Sequence, residues 1–201
     1  MIERKTGCCV YQHLKDFTVV DLETTGCNPV EDEIIELGAL KVRDGKVVAT
    51  YDQLIKPFFP IQPFTTELTG ITNEMVQSAP PIEDKILSFV EFIGDDVVVG
   101  HNVIFDVNFT YDALIRFRRL EFPNDYMDTL RLSRRALPKL PHHRLCDLVD
   151  YFQIDCGPAH RALADCYGAL GLYHRLWEII EEQHIEFKIP RKKKKACPKE
   201  G

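Results

Sequence analysis

The stretch that decides the fold of this chain reads Phe17-Thr18-Val19-Val20-Asp21-Leu22-Glu23-Thr24-Thr25-Gly26. An aromatic residue followed by three β-branched residues is typical of a strand, and side chains two positions apart on a strand lie on the same face. Asp21 and Glu23 are therefore expected side by side at the end of an apolar strand. Two adjacent carboxylates repel each other, and either a shared proton or a divalent cation would neutralise them. A strand that simply ends in a polar turn is the simpler alternative.

The composition describes one folded domain with an uneven distribution of charge. The chain has 201 residues, of which 45% are hydrophobic, which is enough to bury a single core. Its formal net charge is −6, and because residues 191–201 hold six basic residues and one acidic residue, residues 1–190 carry −11. An acidic body argues against nucleic-acid binding through a broad basic surface. If nucleic acid is the partner, metal ions must neutralise much of the phosphate charge.

The same composition indicates the compartment. No apolar run approaches the ~20 residues that a membrane span requires, and the charged start of the chain is not followed by a signal-type apolar segment. The seven cysteines form no Cys-x-x-Cys pair, so neither a zinc ribbon nor a redox pair is expected. We expect a cytoplasmic protein with reduced thiols and no membrane partner.

Hydrophobic periodicity predicts an α/β fold with a mixed five-stranded sheet flanked by helices. The three strands at 17–22, 34–42 and 46–55 are expected to form an antiparallel meander, with a hairpin turn at Asp44-Gly45. Short buried strands are expected at 97–100 and at Tyr126-Met127, and helices near 82–93, 103–118, 129–136, 142–152 and 159–182. This organisation places the folded domain at 17–182, a loosely held N-terminal extension at 1–16 and a basic C-terminal tail at 183–201.

Two further acids lie where helices follow this sheet. Asp106 follows Gly100-His101-Asn102 and lies in the first turn of a helix whose apolar residues face inward. Asp165 lies five residues after His160, in a helix with small residues that allow close approach to the sheet. Each has an ordinary interpretation when taken alone: an acid near a helix N-terminus, a surface helix residue and a structural histidine.

Together, these residues resemble the three exonuclease motifs of the DEDDh (DnaQ-like) 3′ to 5′ exonucleases. The first motif is Asp21 to Gly26, the second is Gly100-His101-Asn102 with Phe105-Asp106, and the third is His160 with Asp165. The resemblance covers roughly residues 17–180. It is nearest to the epsilon subunit of bacterial DNA polymerase III and to the exonuclease domain of Gram-positive replicative polymerases. It implies a ribonuclease H-like fold and an exonuclease domain at 17–182.

The resemblance also implies a mechanism. Two divalent ions, Mg²⁺ or Mn²⁺, would be held by Asp21, Glu23, Asp106 and Asp165, with Asp21 bridging them. His160 would be the general base, because an imidazole changes protonation near physiological pH. Four matched motif residues would line the pocket of the terminal nucleotide: Thr24, Thr25, His101 and Asn102.

The expected substrate is the single-stranded or frayed 3′ end of DNA, in proofreading or repair. One alternative is a free-standing 3′ exonuclease acting on RNA or oligonucleotides, since contacts to the 2′ hydroxyl decide between the sugars. Another is a nuclease-like module that binds nucleic acid or a polymerase without cutting. The presence of all five motif residues argues against this second alternative.

Two C-terminal segments suggest partners beyond the substrate. The segment 183–187 faintly resembles the Gln-Leu-x-Leu-Phe peptide by which replication proteins dock on the sliding clamp, although its second residue does not match and the frayed end of the last helix is the simpler explanation. The run Arg191 to Lys195 is either a solvated chain end or a nucleic-acid contact. A DNA polymerase and a sliding clamp are therefore the candidate protein partners.

Overall fold

Five strands and seven helices make up the parts of the chain that the computed structural model describes, residues 4–157 and 160–187. The strands are β1 (Phe17–Thr24), β2 (Ile34–Arg43), β3 (Lys46–Leu54), β4 (Val98–Gly100) and β5 (Tyr126–Asp128). The helices are α1 (Pro63–Thr69), α2 (Asn73–Val76), α3 (Ile82–Ile93), α4 (Ile104–Arg118), α5 (Thr129–Ala136), α6 (Leu145–Phe152) and α7 (Ala162–Glu182).

The strands form one mixed sheet in the order β3-β2-β1-β4-β5. The pairs β1–β2 and β2–β3 are antiparallel, whereas β1–β4 and β4–β5 are parallel. The hairpin between β2 and β3 turns at Asp44 and Gly45, whose φ angles of 50° and 74° suit a turn that requires left-handed backbone. The prediction of a meander within a mixed five-stranded sheet is confirmed.

Helices cover both faces of the sheet, and β1 contributes to both cores. Phe17 and Val19 pack in a core with α5, α6 and α7, whereas Val20 and Leu22 pack in the opposite core with α3 and α4. Because side chains alternate along a strand, Asp21 continues the row that faces α7. The apolar part of β1 thus anchors the strand on both sides and carries its carboxylates to the edge of the core.

Helix α7 lies unusually close to the sheet at its N-terminal end. A Cβ placed on Gly38 of β2 would lie only 2.6 Å from the carbonyl carbon of Ala162, so only glycine allows this approach. The predicted start of the helix near 159 is wrong: α7 begins at Ala162, and His160 precedes it. On this helix Tyr167 is 38% exposed, whereas Cys166 and Tyr173 are fully buried.

The N-terminal segment is not loosely held, contrary to our expectation. The amide of Val10 donates to the Tyr126 carbonyl, and Cys9 forms a parallel bridge with Tyr126 beside β5. Arg4 forms a two-point ion pair with Asp112 of α4. The segment therefore covers the β5 edge of the sheet, which would otherwise expose unpaired backbone groups.

Residues 183–187 continue from α7 and fold back onto the protein. The Phe187 ring stacks on Tyr11 at 5.0 Å and lies 5.9 Å from the Trp177 ring. The basic run 191–195 lies outside the described residues. No helix within the described ranges has the length and apolarity that crossing a membrane demands.

Candidate active site

Three carboxylates from two elements meet at the end of β1. Asp21 and Glu23 lie on β1, and Asp165 lies in the first turn of α7. One oxygen from each of these side chains lies within 4.8 Å of an oxygen of the other two. The close approach of α7 to β2 produces this meeting, because it brings the N-terminal turn of the helix over the sheet.

Asp106 reaches the same strand from the opposite face. It lies in the first turn of α4, is 3% exposed, and accepts a 2.9 Å hydrogen bond from the Leu22 amide between Asp21 and Glu23. Its charge acts on Asp21 more strongly than that of any other group. The structure therefore brings together all four acids that the sequence singled out.

Burial and mutual repulsion disfavour the charged form of each acid. Burial, followed by the charge of Asp106, holds the pKa of Asp21 well above its usual range. Burial, together with the charges of Asp165 and Glu36, raises the pKa of Glu23 to about 8. The pKa of Asp165 is also raised, mainly by burial, and the pKa of Asp106 is raised well above its usual range by burial. Either protonation or a bound cation would neutralise these carboxylates.

The donor set fits a divalent cation. All four side chains offer carboxylate oxygens, which are the ligands that hard cations such as Mg²⁺ and Mn²⁺ prefer. Within residues 4–157 and 160–187, no lysine or arginine forms an ion pair with any of the four. A cation at this point would relieve the repulsion among the four carboxylates.

His160 lies at the exposed rim of this cluster. Its backbone is left-handed, with φ of 61°, and its amide donates a 3.2 Å hydrogen bond to Asp165 Oδ2. The adjacent residues 158 and 159 are outside the described ranges. The structure thus places His160 beside the acids, and its role as a base remains a prediction.

Thr24 and Thr25 use their hydroxyl groups within the turn that follows β1. The Thr24 hydroxyl donates to the Gly26 carbonyl at 2.6 Å, and the Thr25 hydroxyl accepts from the Glu33 amide at 2.9 Å. Both residues are half-buried. These contacts shape the rim of the site, and the predicted nucleotide contacts stay predictions.

His101 and Asn102 lie at the C-terminal end of β4. His101 Nε2 donates to the His143 carbonyl at 2.8 Å, and Nδ1 lies 3.0 Å from the Thr129 hydroxyl. Asn102 is exposed and left-handed, and its amide donates to Asp128 Oδ1 at 2.9 Å. The His101 ring therefore contacts α5 and the segment before α6, while the Asn102 side chain is available at the rim.

Sequence reasoning missed the ion pair that fixes the start of α7. Glu36 of β2 is fully buried, and its carboxylate binds Arg161 through two guanidinium nitrogens at 2.5 and 3.0 Å. The same carboxylate accepts a 2.9 Å hydrogen bond from the Ala162 amide. An acid inside the apolar run 34–42 was the available signal. The pair fixes Arg161, the one residue between His160 and the first residue of α7.

Comparison with known proteins agrees with the motifs. A model of the Exonuclease family matches residues 18–173. The chain is 42% identical over 169 residues to the PolC-type DNA polymerase III of Latilactobacillus sakei subsp. sakei, and 37% identical over 174 residues to that of Bacillus subtilis. These matches cover 84% and 85% of this chain. The chain spans about 12% of the length of both curated relatives.

Solved structures agree with the fold. Exonuclease X in complex with 5′ overhanging duplex DNA is 29% identical, with a TM-score of 0.64, over 84% of this chain and 93% of that one. Escherichia coli Exonuclease I in complex with a dT13 oligonucleotide gives a TM-score of 0.74 over 85% of this chain and 43% of that one, and at 20% identity it shows the fold alone. The ribonuclease H-like fold and the resemblance to DnaQ-like exonucleases are confirmed. This chain belongs to the Exonuclease family.

Proposed function

We propose that this chain is a metal-dependent 3′ to 5′ exonuclease that hydrolyses phosphodiester bonds at the 3′ end of DNA. The observation that carries the proposal is the meeting of four acids, of which Asp106 is buried and the other three are half-buried, with no ion pair to a lysine or arginine among the described residues. Such a site would repel a phosphate unless cations intervene, so it suits a reaction in which cations hold the phosphate. Membership of the Exonuclease family supports the same chemistry.

The four acids would hold two divalent ions, either Mg²⁺ or Mn²⁺. Asp21 is the best candidate for the shared ligand, because the charges of Asp106, Asp165 and Glu23 all act on it. When bound, two ions supply a nucleophilic water and stabilise the charge on the leaving 3′ oxygen. Glu23 and Asp165 would complete the ligand set on one side and Asp106 on the other.

His160 would take the proton from the attacking water. It is exposed at the rim, where water and substrate enter, and its amide is tied to Asp165. This placement suits a general base, which must release the proton that it has accepted before the next turnover.

The proposed substrate is a single-stranded or frayed 3′ end. The PolC-type relatives are DNA polymerases, and Exonuclease X was solved on DNA with an overhang. A DNA polymerase is accordingly the proposed partner, with proofreading or repair in the cytoplasm as the setting. The exonuclease domain is proposed to span 17–182, with 183–201 as a tail.

Docking on a sliding clamp through residues 183–187 stays a prediction. It would require Phe187 to leave its stack on Tyr11, where it is partly buried. Failure of a peptide of residues 180–190 to bind a clamp would contradict this prediction.

The test is a time course on single-stranded DNA and matched RNA, both labelled at the 5′ end. With Mg²⁺ or Mn²⁺ we expect a ladder that shortens one nucleotide at a time, and no cleavage with a chelator or in Asp21→Ala. Faster cleavage of RNA would favour the RNA alternative. Tight binding without cleavage of either substrate would favour the non-catalytic module, and internal cuts would contradict exonuclease action.

A further inference from the structure

A second charged site lies beside α5, between the N-terminal segment and the residues that follow α7. An open cavity of about 440 Å³ is lined by Tyr11, Arg131, Arg134, Arg135 and Phe187. The three arginines are exposed residues of α5, and no acidic residue lines the cavity. This concentration of positive charge stands out in a protein whose first 190 residues carry −11.

The arginines have spare hydrogen-bonding capacity. Arg134 forms no ion pair among the described residues, and Arg135 donates only to the Glu186 carbonyl, at 3.1 Å, in the same ranges. Arg131 lies 3.5 Å from Asp128 and also bonds Tyr11. Arg144 and Arg175, in contrast, are each paired with a carboxylate at 2.8 or 2.9 Å. The guanidinium groups of Arg134 and Arg135 are therefore available to bind an anion, and their planar fork suits phosphate.

The stacked rings of Tyr11 and Phe187 form one wall of the cavity. The rings of Tyr11 and Phe187 are stacked at 5.0 Å with an angle of only 6° between their planes. Tyr11 belongs to the segment that pairs with β5, and Phe187 belongs to the segment that follows α7. Two distant parts of the chain thus build the wall, and arginines beside aromatic rings are the composition of single-strand binding surfaces.

The position of α5 connects this site to the proposed active site. The helix starts at Thr129, whose hydroxyl lies 3.0 Å from the His101 ring, and its cap Asp128 binds the Asn102 amide. At a rise of about 1.5 Å per residue, Arg134 lies roughly 9 Å along the helix from Asp128.

We propose that Arg131, Arg134 and Arg135, with Tyr11 and Phe187, bind the phosphate backbone of a single strand whose 3′ end occupies the carboxylate site. The proposal rests on the proposed function for the identity of the strand. It explains how an acidic nuclease could hold a polyanion. Cations would bind the scissile phosphate, and these arginines would bind phosphates further along the strand.

The test measures binding of a fluorescent oligo(dT) of about 20 nucleotides in chelator, over a range of salt concentrations. Each phosphate contact contributes about 0.7 to the slope of log affinity against log salt for a single strand. The double variant Arg134→Gln, Arg135→Gln is expected to lower the slope by about 1.4 and the affinity roughly tenfold at low salt. The pair Arg134→Lys, Arg135→Lys keeps the charge and is expected to restore most of the slope.

Arg175→Gln is the matched control, because it removes an exposed positive charge from α7 outside the cavity. An unchanged slope in the Arg134→Gln, Arg135→Gln variant, or an equal loss in Arg175→Gln, would overturn the proposal. Binding in chelator does not require hydrolysis, so failure of the proposed exonuclease activity would appear separately, as an uncleaved strand that the arginines still hold.

Discussion

At the scale of single residues, we expect His160 to contribute to turnover and the four acids to contribute to metal binding. Substitution of His160 can separate the two effects. His160 is exposed, and its amide donates a hydrogen bond to Asp165. His160→Ala should therefore lower turnover by ~10² or more, the usual effect of losing a general base, while the affinity for Mn²⁺ stays within about twofold. Single-turnover rates and a Mn²⁺ titration of the same protein measure both. A variant as fast as the wild type would remove His160 from the mechanism.

The Glu36–Arg161 pair should matter to stability as well as to the site. Breaking a buried ion pair costs about 3–5 kcal/mol, and because the Arg161 side chain is 38% exposed we expect Arg161→Met to cost about 3 kcal/mol. The double variant Glu36→Gln, Arg161→Met should recover part of the loss, since no unpaired buried charge remains. Urea unfolding measures both variants.

Arg175→Met is the control for this prediction, because the Arg175–Glu178 pair is exposed on both sides. Its cost should stay within about 0.5 kcal/mol. Equal stability of Arg161→Met and the wild type would show that Glu36 needs no partner.

Some of these residues could be found from sequence and others could not, for a physical reason. Asp21 and Glu23 are two positions apart on one strand, so local periodicity alone places them together. Glu36 and Arg161 are 125 positions apart, and no local pattern connects them. His101 was matched to a motif from its local sequence, but its ring contacts with Thr129 and His143 depend on the packing of α5 and on the segment before α6.

At the scale of elements, the contact between β2 and α7 should tolerate no added methyl group. A Cβ on Gly38 would meet backbone atoms of Ala162 at 2.6 Å, so Gly38→Ala must push the helix away from the sheet. We expect a loss of about 1–3 kcal/mol together with a loss of metal affinity, because Asp165 moves with the helix. Thermal unfolding and Mn²⁺ titration measure the two effects.

Gly168→Ala is the matched control within α7. Its added Cβ would meet a flexible side-chain atom of Val149 at 3.1 Å, and alanine favours helix by up to ~1 kcal/mol. This variant should keep its stability and its metal affinity. A Gly38→Ala protein that behaves like Gly168→Ala would contradict the close packing of α7.

Element boundaries were predictable where local signals set them. The turn at Asp44-Gly45 and the span of α5 follow from local sequence. The start of α7 does not, because its cap comes from another element: the Ala162 amide donates to Glu36 of β2, and Arg161 offers no side-chain cap. The N-terminal segment was likewise misjudged, since its partner Tyr126 lies more than 100 residues away and the segment has no periodicity of its own.

At the scale of the whole molecule, the clustered acids should make stability depend on pH and metal together. Their pKa values are raised in the folded protein, and that of Glu23 is raised to about 8. The folded state therefore binds more protons than the unfolded state between about pH 5 and 8. Stability of the metal-free protein from these groups is fully present below the unfolded pKa and is lost as pH rises through 8.

Saturating Mg²⁺ should reverse this loss, since a cation replaces the protons. At a concentration about 100 times the dissociation constant, the gain is about 2.7 kcal/mol, or roughly 5–10 °C in Tm for a chain of this size. Thermal scans at pH 6 and pH 9, with Mg²⁺ and with chelator, measure the effect. Glu23→Gln should flatten the metal-free profile, and a Mg²⁺ shift that is larger at pH 6 than at pH 9 would contradict the assignment.

The most direct test of the proposed metal-dependent exonuclease site measures the number of bound Mn²⁺ ions and the rate of hydrolysis in the same samples. The wild type and Asp21→Asn are compared. Asn has the shape of Asp without its charge, so the variant removes the proposed shared ligand with little change in packing. We expect two ions on the wild type and cleavage of a 5′-labelled strand from its 3′ end only when the ions are bound. In Asp21→Asn we expect the loss of both the bound ions and the cleavage. Metal-dependent cleavage that persists in Asp21→Asn would contradict it.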